Sequence, residues 1–146
     1  MASKTIPENY LDLLTSKKAL AIIATLMPDG SPQVTPVWFD YTDGKIRINT
    51  ARGTVKAHNM KVGAKVALAI IDPENPFRYL GIRGPVVGET EKGADAHIDS
   101  LTNKYLGLDK YPFRQPGVVR VTYVIEPASV HTMGYHAPAV ATAGQH

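Results

Sequence analysis

The stretch ALAIIATLMPDGSPQVTPVWFDYTDGKIRIN, residues 19–49, decides the fold. Its first part, 19–26, is apolar and contains β-branched residues, and the polar sequence at 28–31 is a turn signal. A strand pattern resumes over 33–41, and a second tight turn at 42–44 leads into alternating polar and apolar side chains. Three antiparallel strands in succession are therefore predicted.

The remainder of the chain continues this pattern. Further strands are predicted at 65–71, 77–89, 118–125 and 130–133. Short helices are predicted at 5–16, 54–62 and 93–106. Many short strands with few helices indicate a mainly β fold, a small antiparallel β-barrel. We expect one domain over residues 1–133, followed by a loose tail at 134–146.

Pro36 lies inside the predicted second strand. Proline has no N–H to donate to a neighbouring strand, so this strand should lie at the edge of a sheet or be bulged there. A bulge would leave nearby backbone groups available to a ligand.

Composition restricts the class of protein. The chain has 146 residues, 44% hydrophobic and 20% charged, which is ordinary for a globular domain. It has no cysteine, which excludes disulfides, thiolate metal sites and cysteine nucleophiles. The first residues carry no signal-peptide core, and the early apolar run at 19–24 is too short to span a membrane. We therefore expect a cytoplasmic protein without a membrane contact.

A basic window at 44–71 is the main candidate for binding. It contains no Asp or Glu and six basic residues, which are Lys45, Arg47, Arg52, Lys56, Lys61 and Lys65. The hydroxyl-rich turn in its middle passes from a strand into a helix, and such turns bind phosphate through backbone N–H groups, threonines and lysines. An anion site and a solvated basic face are both compatible with this pattern.

Other types of site have no support in the sequence. The chain lacks the G-x-G-x-x-G and Walker A fingerprints, the G-x-S-x-G elbow and the H-E-x-x-H motif. The five histidines are not spaced like metal ligands, so no metal is expected. The basic window has no Phe, Tyr or Trp for base stacking, so nucleic acid is not expected as a partner.

An ordered set of motifs resembles a known family. The first set is ATL at 24–26, PDGSPQV at 28–34, PVWF at 36–39, NT at 49–50 and KAHN at 56–59. The second set is NPFRYL at 75–80, RG at 83–84, KYLG at 104–107, YP at 111–112 and IEP at 125–127. Together they resemble the FMN-binding split β-barrel family, which includes pyridoxamine 5'-phosphate oxidase and the coenzyme F-420 (deazaflavin) dependent oxidoreductases; the second set resembles the deazaflavin branch.

The resemblance implies a cofactor site. In the family, the turn after the third strand holds the cofactor phosphate, and the ring lies along the second strand. Tyr79 matches a position that lines the cofactor cleft, although a packed barrel residue is an equally good interpretation of its ring. The implied cofactor-binding residues are Thr35, Pro36, Val37, Asn49, Thr50, Arg52, Thr54, Lys56 and Tyr79.

The resemblance also implies an activity. Residues 33–38 lack the basic Arg-x-x-x-x-Lys motif with which the phosphate-oxidase branch binds flavin mononucleotide (FMN), so coenzyme F-420 is the expected cofactor. The expected function is transfer of a hydride to a small unsaturated organic substrate. The alternatives are an FMN-dependent oxidase or reductase and a non-catalytic cofactor-binding protein.

No catalytic residue is identified from the motifs. The candidates for substrate orientation or proton delivery are Tyr79, Arg83 and His131. Trp38 is expected to form a wall of the site. Barrels of this family usually form homodimers with the cofactor between the subunits, and this chain is expected to do the same.

Overall fold

The computed structural model describes residues 5–134, which contain eight strands, two α-helices and a short 3-10 helix. The strands are β1 (Ala21–Leu26), β2 (Pro32–Val37), β3 (Phe39–Thr42), β4 (Lys45–Ala51), β5 (Lys65–Asp72), β6 (Asn75–Thr90), β7 (Arg120–Ile125) and β8 (Ser129–Gly134). The helices are the 3-10 helix Glu8–Leu13, α1 (Val55–Asn59) and α2 (Ala94–Leu106).

All strand pairs are antiparallel, and the strands follow the order β2-β1-β5-β6-β7-β4-β3, with β8 beside β6. β6 has 16 residues, so its first half pairs with β5 and β8 and its second half with β7. Its register with β7 shifts between Val86 and Gly88, as at a bulge that bends a strand. The fold is the predicted one: mainly β, an antiparallel barrel of the split type with a few short helices.

The core lies inside this curved sheet. Side chains from almost every strand are fully buried in it, and the largest are Ile23, Phe39, Ile46, Ile48, Ile70, Leu80, Ile82 and Tyr123. The 3-10 helix adds Leu13, which is also fully buried. Burying one such aliphatic side chain contributes about 1.5 to 3 kcal/mol, so these positions dominate the stability of the barrel.

One expectation about backbone packing is confirmed, and the structure adds a close backbone contact at Gly84. The strand that contains Pro36, β2, lies at one edge of the sheet. No strand pairs with its outer side, so no hydrogen bond is lost there through the missing N–H of proline. The glycines of β6 allow another backbone to approach, since a Cβ on Gly84 would lie 1.9 Å from the carbonyl oxygen of Glu126. Only a residue without a side chain fits at this position.

The predicted second strand, 33–41, is interrupted at Trp38. The part before this residue pairs with β1, and the part after it pairs with β4. β2 and β3 therefore occupy opposite ends of the strand order, and a continuous strand could not reach both. Local sequence pattern contains no information about which partner each half finds, so the break was not predicted.

The two ends of the chain differ from the expectations in detail. The helix predicted at 5–16 is a shorter 3-10 helix, Glu8–Leu13, whose cap position is Pro7, without a side-chain hydrogen bond. Gly134, the first residue of the predicted tail, is the last residue of β8. The rest of the predicted loose tail, 135–146, lies outside the described residues, as does 1–4. Among residues 5–134, every helix is too short or too polar to cross a bilayer.

Candidate functional site

A cleft of about 370 Å³ lies where β2, β4 and the N-terminal end of β7 meet helix α2. Four of the predicted cofactor-binding residues line it together, namely Pro36, Val37, Asn49 and Lys56. Arg120, which was not predicted, joins them. We call this space the Lys56 cleft.

The charges in the Lys56 cleft are positive and unbalanced. Burial lowers the pKa of Lys56, and the charge of Arg120 lowers it further. Within residues 5–134, neither of these two side chains has a carboxylate as a salt-bridge partner. An anion bound beside them would relieve both the repulsion and the loss of solvation, so this pair is suited to a phosphate or carboxylate group.

Asn49 connects the floor of the cleft to helix α2. Its amide nitrogen donates to the carbonyl oxygen of Ala94 at 2.8 Å, and its side-chain oxygen accepts from Nε of Arg120 at 2.9 Å. Asn49 is buried, so these bonds are shielded from water. They hold the arginine side chain against the cleft wall.

One side of the cleft is aromatic, formed by Trp38, Tyr111 and Phe113. The ring of Tyr111 meets Trp38 edge-on, with centroids 6.5 Å apart, and the guanidinium carbon of Arg120 lies 5.1 Å from the Tyr111 centroid. Trp38 forms a wall, as expected from the sequence. A flat, partly apolar group placed here would contact ring faces and edges.

Tyr105 supports this aromatic wall from behind. Its ring is parallel to that of Trp38, with centroids 5.2 Å apart, and its hydroxyl donates to the carbonyl oxygen of Ala19 at 2.6 Å. Burial raises the pKa of Tyr105 to about 12. Its proton is therefore held at neutral pH, and its role is to keep the indole in place.

The loop after α2 is fastened by Asp99. This carboxylate accepts from the backbone N–H of Tyr111 at 2.8 Å and from Arg114 at 2.7 Å. The backbone hydrogen bond lowers the pKa of Asp99. The carboxylate of Asp99 therefore anchors the aromatic wall to helix α2.

The two predicted threonines of the phosphate turn are engaged within the protein. The hydroxyl of Thr54 accepts from the N–H of Ala57 at 3.2 Å and donates to the carbonyl oxygen of Ala51 at 3.0 Å, so it caps helix α1. Thr50 is buried, and its hydroxyl lies 3.4 Å from that of Thr54. Both shape the turn that carries Lys56.

Arg52 is the predicted residue whose charge is most fully balanced. Its guanidinium binds Glu91 at 2.7 Å and Glu89 at 3.1 Å. The basic window is free of acids in sequence, but Glu89 near the end of β6 and Glu91 just after it approach Arg52 in space. Arg52 lines a separate hollow of about 110 Å³ with Lys61, outside the Lys56 cleft.

The remaining predicted residues do not line the Lys56 cleft within one chain. Thr35 accepts a hydrogen bond from Gln33 at 2.7 Å on β2. Tyr79 packs edge-on against His131, with ring centroids 6.0 Å apart, and Arg83 donates to Ser129 at 3.0 Å. Tyr79, Arg83 and His131 belong to the β6–β8 pair and do not line the Lys56 cleft.

Four of the cleft residues were not singled out from the sequence, namely Leu20, Ile98, Phe113 and Arg120, and Tyr111 appeared there only as part of a family motif. Arg120 is brought to the site by the pairing of β7 with β4, in which it stands opposite Ala51. The one signal that could have found it is its place as the first residue of a strand that follows a loop rich in aromatic residues.

The chain is similar to several known proteins. The model of the family described as pyridoxamine 5'-phosphate oxidase matches residues 6–134. Among solved structures, an F420 reductase is 32% identical with a TM-score of 0.75, covering 86% of this chain and 98% of the other. No curated protein shows significant similarity.

Two more distant structures share the fold alone. The FAD and heme binding protein from Mycobacterium smegmatis is 16% identical, with a TM-score of 0.65 over 96% of this chain and 79% of that one. General Stress Protein 26 from Bacillus anthracis is 14% identical, with a TM-score of 0.59 over 86% and 92% of the two chains.

Proposed function

Because the chain belongs to the pyridoxamine 5'-phosphate oxidase family, whose members are often oxidoreductases, we propose that it is a coenzyme F-420-dependent oxidoreductase. Its reaction is transfer of a hydride from the reduced deazaflavin to a small unsaturated organic substrate. The observation that carries this proposal is the pair of unbalanced cations, Lys56 and Arg120, beside an aromatic wall in one cleft.

The residues of the cleft fit an anionic, planar cofactor. A deazaflavin cofactor has a flat ring system, a phosphodiester and an oligoglutamate tail. Lys56 and Arg120 would hold its negative charge, while Trp38 and the backbone of Pro36 and Val37 would border its ring. Thr50 and Thr54 contribute indirectly, because their hydroxyl groups stabilise the turn that presents Lys56.

Two observations favour coenzyme F-420 over FMN. The edge strand β2, with the sequence PQVTPV, has no basic side chain that could hold the phosphate of FMN from that side. The F420 reductase is also more than 25% identical to this chain in sequence, whereas the FAD and heme binding protein and General Stress Protein 26 are less than 25% identical. FMN remains the alternative cofactor, and its binding is one of the outcomes of the test below.

The contribution of the protein to the reaction is binding, orientation and exclusion of water. Reduced deazaflavin supplies the hydride when bound, so no nucleophile is needed from the chain. The aromatic wall removes water from one side of the cleft, and the cations fix the anionic end of the cofactor. Holding two reactants in contact in this way can by itself lower a barrier by several kcal/mol.

We further propose a homodimer with the cofactor near the interface. An apolar groove of about 430 Å³ runs over β1, β5, β6 and β8 on the outside of the barrel, lined by Ala24, Leu26, Ala67 and Arg83 among others. Small residues in a flat, half-exposed sheet allow a second copy to approach closely. Tyr79, Arg83 and His131 lie on this side and are the candidates for acting on the cleft of the partner subunit.

Equilibrium binding tests the cofactor. Purified protein is titrated with coenzyme F-420 and, separately, with FMN, while fluorescence is recorded. We expect a Kd for coenzyme F-420 below 100 µM, about −5.5 kcal/mol, and weaker binding of FMN. Absence of binding by both would refute the oxidoreductase proposal, and tighter binding of FMN, or a yellow protein on purification, would support the FMN-dependent alternative.

Turnover separates an enzyme from a cofactor carrier. Reduced coenzyme F-420 is mixed with the protein and a panel of quinones, enones and nitroaromatics, and its reoxidation is followed by absorbance. Reoxidation that depends on both protein and acceptor is expected. Tight binding without turnover by any acceptor of the panel would favour the non-catalytic cofactor-binding alternative.

A further inference from the structure

A buried chain of polar groups runs from β3 to the Lys56 cleft. Oδ2 of Asp40 lies 3.0 Å from Nε2 of His97, and Nδ1 of His97 lies 3.2 Å from the amide nitrogen of Asn49. The side-chain oxygen of Asn49 accepts from Nε of Arg120 at 2.9 Å. His97 is 5% and Asn49 8% exposed, so the middle of this series of polar groups is shielded from solvent.

The direction of these hydrogen bonds is determined by one carbonyl group. The carbonyl oxygen of Ala94 can only accept, so the Asn49 group 2.8 Å from it must be the amide nitrogen. The side-chain oxygen of Asn49 therefore faces Arg120. The second amide hydrogen points to Nδ1 of His97, which must carry a lone pair to accept it. The proton of neutral His97 is consequently on Nε2 and donates to Asp40.

Two further contacts hold His97 in this state. The hydroxyl of Thr122 lies 3.1 Å from the same Nδ1, so a second possible donor meets that nitrogen. On the other side, Arg47 binds Asp40 with two hydrogen bonds of 2.8 Å. The carboxylate is therefore fixed in position and already paired with a cation. The carboxylate of Asp40 can therefore orient the imidazole of His97. Because Arg47 already balances its charge, it does not attract Arg120 out of the cleft.

We propose that His97 is a positioning residue of the Lys56 cleft: through Asn49 it holds the guanidinium of Arg120 ready for the anionic part of the ligand. This inference rests on the proposed function for the identity of that ligand. Without His97, the amide nitrogen of Asn49 would keep the carbonyl oxygen of Ala94 as its acceptor but lose Nδ1, so the amide would be held less firmly. The hydrogen bond from Arg120 to the side-chain oxygen of Asn49 would then weaken, and the guanidinium would be less firmly held in the cleft.

The first test needs no ligand. In ¹⁵N NMR spectra of the cofactor-free protein, we expect His97 as the neutral tautomer with the proton on Nε2 and a slowly exchanging Nε–H signal from Arg120. His97→Leu should markedly reduce the protection of that Arg120 signal. His97→Asn can offer a side-chain oxygen in place of Nδ1 and should restore much of it. The Nδ1–H tautomer, or an Arg120 signal unchanged in His97→Leu, would overturn the proposal.

The matched control removes another buried polar group from the same helix. The hydroxyl of Thr102 is fully buried and donates to the carbonyl oxygen of Ile98 at 2.7 Å, without contact to the polar chain. Thr102→Val should leave the NMR signal of Arg120 unchanged. Loss of the signal in this variant as well would attribute the effect to a loosened helix and would overturn the role of His97.

The second test is a double-mutant cycle on the affinity for coenzyme F-420. His97→Leu should weaken binding by about 5- to 10-fold, as expected for one lost hydrogen bond, but should have no additional effect in an Arg120→Met background. Equal losses in both backgrounds would mean that His97 acts independently of Arg120. If wild-type protein binds no coenzyme F-420, the proposed function is wrong and the NMR test alone decides the role of His97.

Discussion

Replacing Lys56 by methionine should weaken cofactor binding and stabilise the cofactor-free protein in the same variant. Burial, followed by the charge of Arg120, lowers the pKa of Lys56 below the ordinary 10.5. A lowered lysine pKa means that the charged form is less favourable in the folded state than in the unfolded chain. Methionine keeps the apolar stem and removes the charge, so the free energy of unfolding should rise at neutral pH.

The effect on binding has the opposite sign and can be given a size. A hydrogen bond between charged groups contributes about 1.5 to 3 kcal/mol, so its loss should raise the Kd for coenzyme F-420 about 10- to 150-fold. Fluorescence titration gives the Kd, and urea unfolding of the cofactor-free protein gives the stability. The gain in stability should disappear as the pH rises past 10.5, where Lys56 is neutral in both states.

Lys92→Met is the matched control, since it removes the same charge from an exposed position. It should change neither the Kd beyond about twofold nor the stability by more than about 0.5 kcal/mol. The reasoning is refuted if Lys56→Met binds coenzyme F-420 as wild type does, or if the variant is less stable than wild type at neutral pH.

Three further changes have defined outcomes. Arg52→Gln should alter the Kd for coenzyme F-420 less than threefold in the same titration, because two glutamates already hold its guanidinium. Gly84→Ala should destabilise the protein by about 3 kcal/mol or more in urea unfolding, because the new Cβ meets a backbone oxygen at 1.9 Å. Burial would raise the pKa of Asp40, but hydrogen bonds from His97 and Arg47 lower it to about 2. Relative to Asp40→Asn, wild type should therefore hold its advantage, at most about 2 kcal/mol, above pH 3.8 and lose it as the pH falls to about 2.

The elements that depend on local signals could be predicted from the sequence. Strands and turns follow from alternation and from turn residues such as Asp43 and Gly44, both of which have positive φ. Pro36 predicted an edge strand because proline lacks a backbone N–H in any context and therefore cannot donate to a neighbouring strand. Lys56 was singled out by the hydroxyl-rich turn before it and by the family resemblance, while the basic pattern alone was equally compatible with a solvated face.

The parts that depend on long-range pairing could not be predicted. Arg52 looked available because its neighbours in sequence are not acidic, yet Glu89 of β6 and Glu91 just after that strand pair with it. Arg120 is 64 positions from Lys56 in the sequence and becomes its neighbour through the register of β7 with β4. His97 could be placed on a helix, but its hydrogen-bond partners come from β3, β4 and β7.

The position of β7 between β6 and β4 has a consequence for protein synthesis. β7 is formed by residues 120–125, so the β3–β4 hairpin can join the rest of the sheet only after nearly all of the described chain has left the ribosome. Until then β4 and the second half of β6 each expose an unpaired strand edge, and such edges favour association between nascent chains. Stalling before residue 120 should therefore yield an aggregation-prone intermediate, whereas release after β8 should yield the complete eight-stranded sheet.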